Sequence, residues 1–286
     1  MENETYVQLR SILLKFPYIH AFLDDDFIRT QCESDLKNHL LQRLNNKKSS
    51  HNTQRHLPTL EKRLAELASV SGYDRLAPLL RRASDWDQYQ EALSQVDITL
   101  WFKHKSLLKE IEPELPHRNG KADILLSFYQ QDIYCECTSF QSIAKSMESE
   151  ADIRGAKIQR EMERLRKGHP WLTTEDVKEQ IALRRATTNL LRKTKDQLPL
   201  YHPGILALDA TKSGKFAFDV RLIAGRLFLQ SPQLVLIALW SWEGSGDDFL
   251  TWDMIPNHFF INPNSNFRRV GEVLLDSLGL IGEVVS

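Results

Sequence analysis

The stretch Lys121–Phe140, "KADILLSFYQQDIYCECTSF", decides the fold because it reads as two β-strands that each carry an acid. Asp123 lies in the first apolar run and Glu136 in the second. A turn centred on Gln130-Gln131 sets Tyr129 opposite Asp132, Leu125 opposite Glu136 and Asp123 opposite Thr138. Opposed residues of an antiparallel pair share a face, and diagonal neighbours lie only about 7–8 Å apart. Asp123, Glu136 and Thr138 are therefore expected at one end of one face, with Cys135 and Cys137 on the other. Two close carboxylates repel unless a proton or cation lies between them. Mg²⁺ suits such a pair, since it takes oxygen ligands and usually only one or two protein carboxylates.

Working outward, the N-terminal side is helical in pattern. "TYVQLRSILLKF", "ESDLKNHLLQRL", "TLEKRLAELASV" and "WDQYQEALSQVDITLWFKH" space apolar residues by three and four. The polar stretch "NNKKSSHNTQRHLP" between them reads as a loop. "LLKEIEPEL" reads as a strand cut short by Pro113 and Pro116, and Asn119-Gly120 as a turn. Beyond the hairpin, charged residues from Gln141 to about Gly168 read as helix, ended by Pro170, and "TTEDVKEQIALRRATTNLLRKTKDQL" as a second helix. "GILALDA" and "QLVLIALWSW" are short apolar runs typical of buried strands, with helical spacing in "DVRLIAGRLFLQ" between them. "VGEVLLDSLGLIG" reads as a closing helix. This order predicts an α/β chain, a mixed central sheet flanked by helices, behind an all-helical N-terminal region at 1–85. The sheet domain takes 86–286, with a helical insertion around 141–170.

Composition excludes several classes. The 286 residues are 42% hydrophobic and 26% charged, with a formal net charge of −1, so any polyanion must be met by a local patch. Three cysteines without framework spacing favour a reducing compartment. No apolar run is long enough for a bilayer, and the polar start "MENETYVQLR" argues against a signal peptide, so a cytoplasmic protein with no membrane partner is expected. No P-loop, G-x-G-x-x-G, G-x-S-x-G or HExxH pattern occurs, and Cys135-x-Cys137 lacks the second ligand pair that zinc needs.

"KADILL" and "IYCECTS", followed by "LLRKTKDQL…PGILALDA", resemble the PD-(D/E)XK nuclease superfamily with its restriction-endonuclease-like fold. The likeness runs from about Trp86 to the C-terminus. It places Asp123 and Glu136 in the metal-ligand positions and Thr138 where the motif lysine stands. It implies an Mg²⁺-dependent (or Mn²⁺-dependent) endonuclease, a hydrolase cleaving phosphodiester bonds in DNA, in restriction or phage defence. RNA is an alternative polymer. A degenerate nuclease fold serving as a nucleic-acid-binding or protein-interaction module is the alternative function.

In some relatives the lysine has moved to a neighbouring element. Leu183, Leu190, Leu191, Thr194 and Leu198 form the apolar stripe of the helix before "GILALDA". Gln197 falls inside that stripe and Lys193 on its edge, so Lys193 is the first candidate and Lys145 the second. A further acid is expected from the helix preceding the motif, either Glu91 or Asp97, with Glu91 favoured. Arg184, Arg185, Arg192 and Lys195, in a segment without acids, form a candidate phosphate-tracking strip. An accessory protein docked on the N-terminal helices and a homodimer are further partner expectations.

Overall fold

The computed structural model describes residues 3–116, 119–139, 163–165, 167–168, 174–211, 217–243 and 253–285. Among them a seven-stranded sheet runs in chain order: β1 (Leu108–Ile111), β2 (Ile124–Phe128), β3 (Gln131–Ser139), β4 (Gly204–Asp209), β5 (Leu234–Glu243), β6 (Asp253–Ile261) and β7 (Glu283–Val284). β1, β2 and β3 are antiparallel neighbours, whereas β3, β4 and β5 are parallel. Parallel neighbours need long crossovers. The helices α8 (Thr174–Gln197) and α9 (Ala217–Gln230) lie in those two connections. β6 returns antiparallel to β5, and β7 pairs parallel to β6 after α10 (Arg268–Ser277). The chain is thus α/β with a mixed, helix-flanked sheet and helices at its N-terminus.

Those N-terminal helices are α1 (Glu4–Leu13), α2 (Pro17–Phe22), α3 (Asp25–Glu33), α4 (His39–Asn45), α5 (Ser50–Leu67), α6 (Ala77–Arg82) and α7 (Trp86–His104). Side-chain caps fix several starts: Asp24 accepts from Phe27 N, Asn38 from Leu41 N and Asp85 from Gln88 N. Leu13, Ile19, Leu41 and Leu64 share one core with Cys135, Ile205 and Trp240 on one sheet face. That core is continuous across residues 85 and 86. Leu190 and Leu198 of α8 and Val220 and Leu227 of α9 pack with Leu206, Leu208 and Ile237 on the opposite face. Gly72 joins the helical region to β1: φ is +80°, and a Cβ there would collide with the Ile111 carbonyl oxygen.

The structure corrects two expectations. The stretch Asn45–Pro58 is not a loop throughout, because α5 begins at Ser50 and contains Pro58. Before the proline, two of its three buried positions are the polar Thr53 and His56, with only Leu57 apolar, which hides the helical period. His56 is buried and its Nε2 lies 2.6 Å from the Tyr89 hydroxyl.

The hairpin turns on Tyr129-Gln130, one residue earlier than expected, and this slips the register by two. Leu125 pairs with Tyr134 and Ile124 with Cys135, so Asp123 continues toward Glu136 rather than Thr138. Both turn residues have positive φ, 46° and 65°. A slip of two keeps every side chain on its expected face.

β6 had no counterpart in the sequence pattern. Pro256 interrupts it and sits opposite Trp240, where the pairing with β5 shifts register. Most of the charged segment Gln141–Gly168, together with Pro170 and Lys145, lies outside the described residues. Among the described residues no helix is long and apolar enough to cross a membrane.

Candidate active site

β3 outruns its partner. The pairing with β2 ends at Ile124↔Cys135, so beyond Glu136 the β2-side edge of β3 has no strand beside it among the described residues. The Asp123 carboxylate takes over there: Cys137 N donates to Asp123 Oδ2 at 2.7 Å. The notch is covered by α6 and α7 from one side of the sheet and by α8 from the other. It forms a cleft of about 480 Å³ lined by Asp123, Glu136, Lys193, Gln197, Glu91 and Gln95, among others.

Glu136 is 1% exposed, and its Oε2 has no hydrogen-bond partner among the described residues. Burial, then repulsion from Asp123, pushes its carboxyl well above the usual carboxylate range, against the pull of Lys193. Burial also raises Asp123, offset by the Cys137 amide, by hydrogen bonding with Glu136 and by the charges of Lys193 and Arg82. The hydrogen bond between the two carboxyls acts with opposite sign, lowering Asp123 and raising Glu136, although burial leaves both raised. Burial and mutual repulsion thus favour protonation of the pair, against the pull of Lys193.

Lys193 of α8 reaches the end of β3. Its Nζ reaches Thr138 Oγ1 at 2.9 Å and Glu136 Oε1 at 3.6 Å. Thr138 is itself buried on β3, so its hydroxyl anchors the ammonium against the sheet. Gln197, one turn on from Lys193, also faces the cleft.

The two acids on α7 separate cleanly. Glu91 lines the cleft, whereas Asp97 is buried against Arg63 at 3.0 Å and is not among the cleft's lining residues. Arg184, Arg192 and Lys195 are exposed on α8. At about 100° per residue, Arg192 and Lys195 sit roughly 100° and 200° around the helix from Lys193. The strip therefore flanks the helix away from the cleft. Arg185 lies on α8, with its side chain outside the described residues.

Sequence reasoning missed Arg82, Gln88 and Gln95, which also line the cleft. Gln88, Glu91 and Gln95 are spaced i, i+3 and i+7, the signature of one helix face, but the apolar face of α7 masked them. The donors offered by Asp123 and Glu136 are carboxylate oxygens, both residues line the cleft, and Glu136 Oε2 is buried without a hydrogen-bond partner among the described residues. This set fits a hard divalent ion that keeps most of its waters, such as Mg²⁺ or Mn²⁺. A closed protein cage is a different matter: among the described residues no three His, Cys, Asp or Glu side chains converge. Comparison with protein-family models, with curated proteins and with solved structures gave no match to this chain.

Proposed function

We propose that the cleft is the active site of a restriction-endonuclease-like, Mg²⁺-dependent nuclease that hydrolyses phosphodiester bonds in DNA. The observation that supports this best is the meeting of three groups: the Asp123 carboxylate, the orphaned Glu136 Oε2 and the Lys193 ammonium. Asp123 and Glu136 would hold the cation, whose chemistry there would be to polarise the phosphate and make a water more acidic. Asp123 is kept in place by the Cys137 amide, which donates to its Oδ2. Lys193, fixed by Thr138, faces the negative charge that grows on the phosphoryl oxygens during attack. Gln197 and Glu91 border the same space and orient water or substrate. The reaction adds water across one P–O ester bond, which breaks to leave a phosphate monoester and a hydroxyl.

The test is divalent-dependent cleavage of plasmid and linear DNA by wild type and by Asp123→Ala and Glu136→Ala. Loss of cutting in both variants supports the assignment. Variants that cut as well as wild type overturn the site. A wild type that binds DNA without cutting it points instead to a degenerate fold acting as a binding module.

A further inference from the structure

Three arginines of "DRLAPLLRR" are put to different uses. Arg75 holds the Glu110 carboxylate and the Glu112 carbonyl. Arg81 donates to the Phe22 carbonyl and pairs with Asp24. Arg82, at the end of α6, is exposed, lines the cleft and makes no hydrogen bond or ion pair among the described residues. Its charge is nonetheless felt at Asp123, whose carboxyl is raised by burial and lowered in part by Lys193 and Arg82.

A second feature lies on the neighbouring wall. Gln95 of α7 is 5% exposed, and its Nε2 has no hydrogen-bond partner among the described residues, although it borders the cleft. A buried amide donor left unmatched is destabilising unless something entering the cleft accepts from it. The cleft also carries Asp123, Glu136 and Glu91, which repel any polyanion. Lys193 offsets this from the α8 side only.

We propose that Arg82 and Gln95 form the seat for a phosphate group of the substrate. The guanidinium grips non-bridging oxygens at the cleft mouth, where its planar fork matches phosphate geometry. The Gln95 amide donates to an oxygen deeper in. The ligand is a phosphodiester strand, and this assignment rests on the phosphodiester reading above.

The experiment measures binding of a fluorescein-labelled DNA oligonucleotide by anisotropy in Ca²⁺, over a range of salt, with cleavage in Mg²⁺ followed in parallel. Arg82→Ala is expected to weaken binding at least about tenfold and to lower the slope of log affinity against log salt by about 0.9, one phosphate contact. Arg82→Lys regains part of the affinity, and Gln95→Leu weakens binding several-fold. In Mg²⁺, Arg82→Ala raises KM while kcat stays within about threefold. Circular dichroism confirms that each variant is folded. An Arg82→Ala affinity and salt slope equal to wild type overturn the seat even if wild type cuts DNA. If wild type binds without cutting and Arg82→Ala loses that binding, the seat stands and the hydrolytic reading falls. A wild type that neither binds nor cuts overturns both.

Discussion

The Lys193 ammonium donates to Thr138 Oγ1 at 2.9 Å, although the two residues are 55 apart in sequence and belong to a helix and a strand. Thr138 stands two residues after Glu136, and Lys193 brings a positive charge to that same point from outside the strand. The hydroxyl is thus an anchor for a lysine supplied by α8.

On the hydrolytic reading proposed above, this division of labour has a kinetic consequence. Lys193→Ala is expected to lower kcat for DNA cleavage by on the order of 10²–10³, the usual effect of removing one stabiliser of transition-state charge. Thr138→Val, which keeps the shape and removes the hydroxyl, is expected to cost about 1 kcal/mol, or roughly fivefold. The double variant Thr138→Lys/Lys193→Ala restores the charge from the strand and should exceed Lys193→Ala by about tenfold or more. Full activity in Lys193→Ala would show that the ammonium is not used.

Glu136 carries the opposite trade between stability and function. Its carboxylate is almost wholly buried, and burial outweighs the Lys193 attraction. Glu136→Gln keeps the shape without the charge, so the metal-free protein should gain on the order of 1 kcal/mol near pH 8. Mg²⁺ should raise the thermal midpoint of wild type by mass action and leave that of the variant unmoved. Thermal scans with and without Mg²⁺ measure both. A variant less stable than wild type, or one with the same Mg²⁺ response, contradicts the assignment.

The acid pair was legible in the sequence because face parity survives an even slip of register. Asp123 and Glu136 share a face whether the turn is centred on Gln130-Gln131 or on Tyr129-Gln130. Lys193 and Gln197 were legible from their place beside the stripe of Leu190, Thr194 and Leu198, which the structure buries. What failed was whatever broke a local rule for a tertiary reason. α5 carries a proline and a buried histidine bonded to Tyr89, and β6 carries Pro256 at a bulge. Arg82 gave no signal, since an exposed arginine at a helix end looks the same whether it faces solvent or a cleft.

Asp97 makes a prediction about pH. Burial, opposed by Arg63, pushes its carboxyl up to about 7 from an ordinary value of 3.8. Between these values the folded state keeps a proton that the unfolded chain has released. Stability from this group is therefore fully present below about 4, falls as pH rises, and levels off above about 7. The slope is at most about 1.4 kcal/mol per pH unit. Asp97→Asn abolishes this dependence, while loss of the Arg63 partner adds an offset that does not vary with pH in that window. Urea unfolding of both proteins across this range should show the variant gaining on wild type as pH rises. A constant difference would mean that Asp97 stays ionised throughout.

The hairpin turn offers a test of register that is independent of function. Tyr129 and Gln130 both adopt positive φ in a two-residue loop closed by the Phe128↔Gln131 pair. Such loops favour Asn-Gly, because a non-glycine side chain is strained at positive φ. The native pair is therefore a poor fit to its own backbone, and Tyr129 is 80% exposed. Tyr129→Asn/Gln130→Gly is expected to stabilise the protein by on the order of 1 kcal/mol, less a few tenths for the lost Phe128–Tyr129 ring contact. Moving the same dipeptide one residue on, as Gln130→Asn/Gln131→Gly, favours the slipped pairing of Asp123 with Thr138 and should destabilise instead. Denaturant midpoints of the two variants decide the matter. Stabilisation by the second variant and not the first would place the turn one residue further along the chain and pair Asp123 with Thr138 instead of toward Glu136.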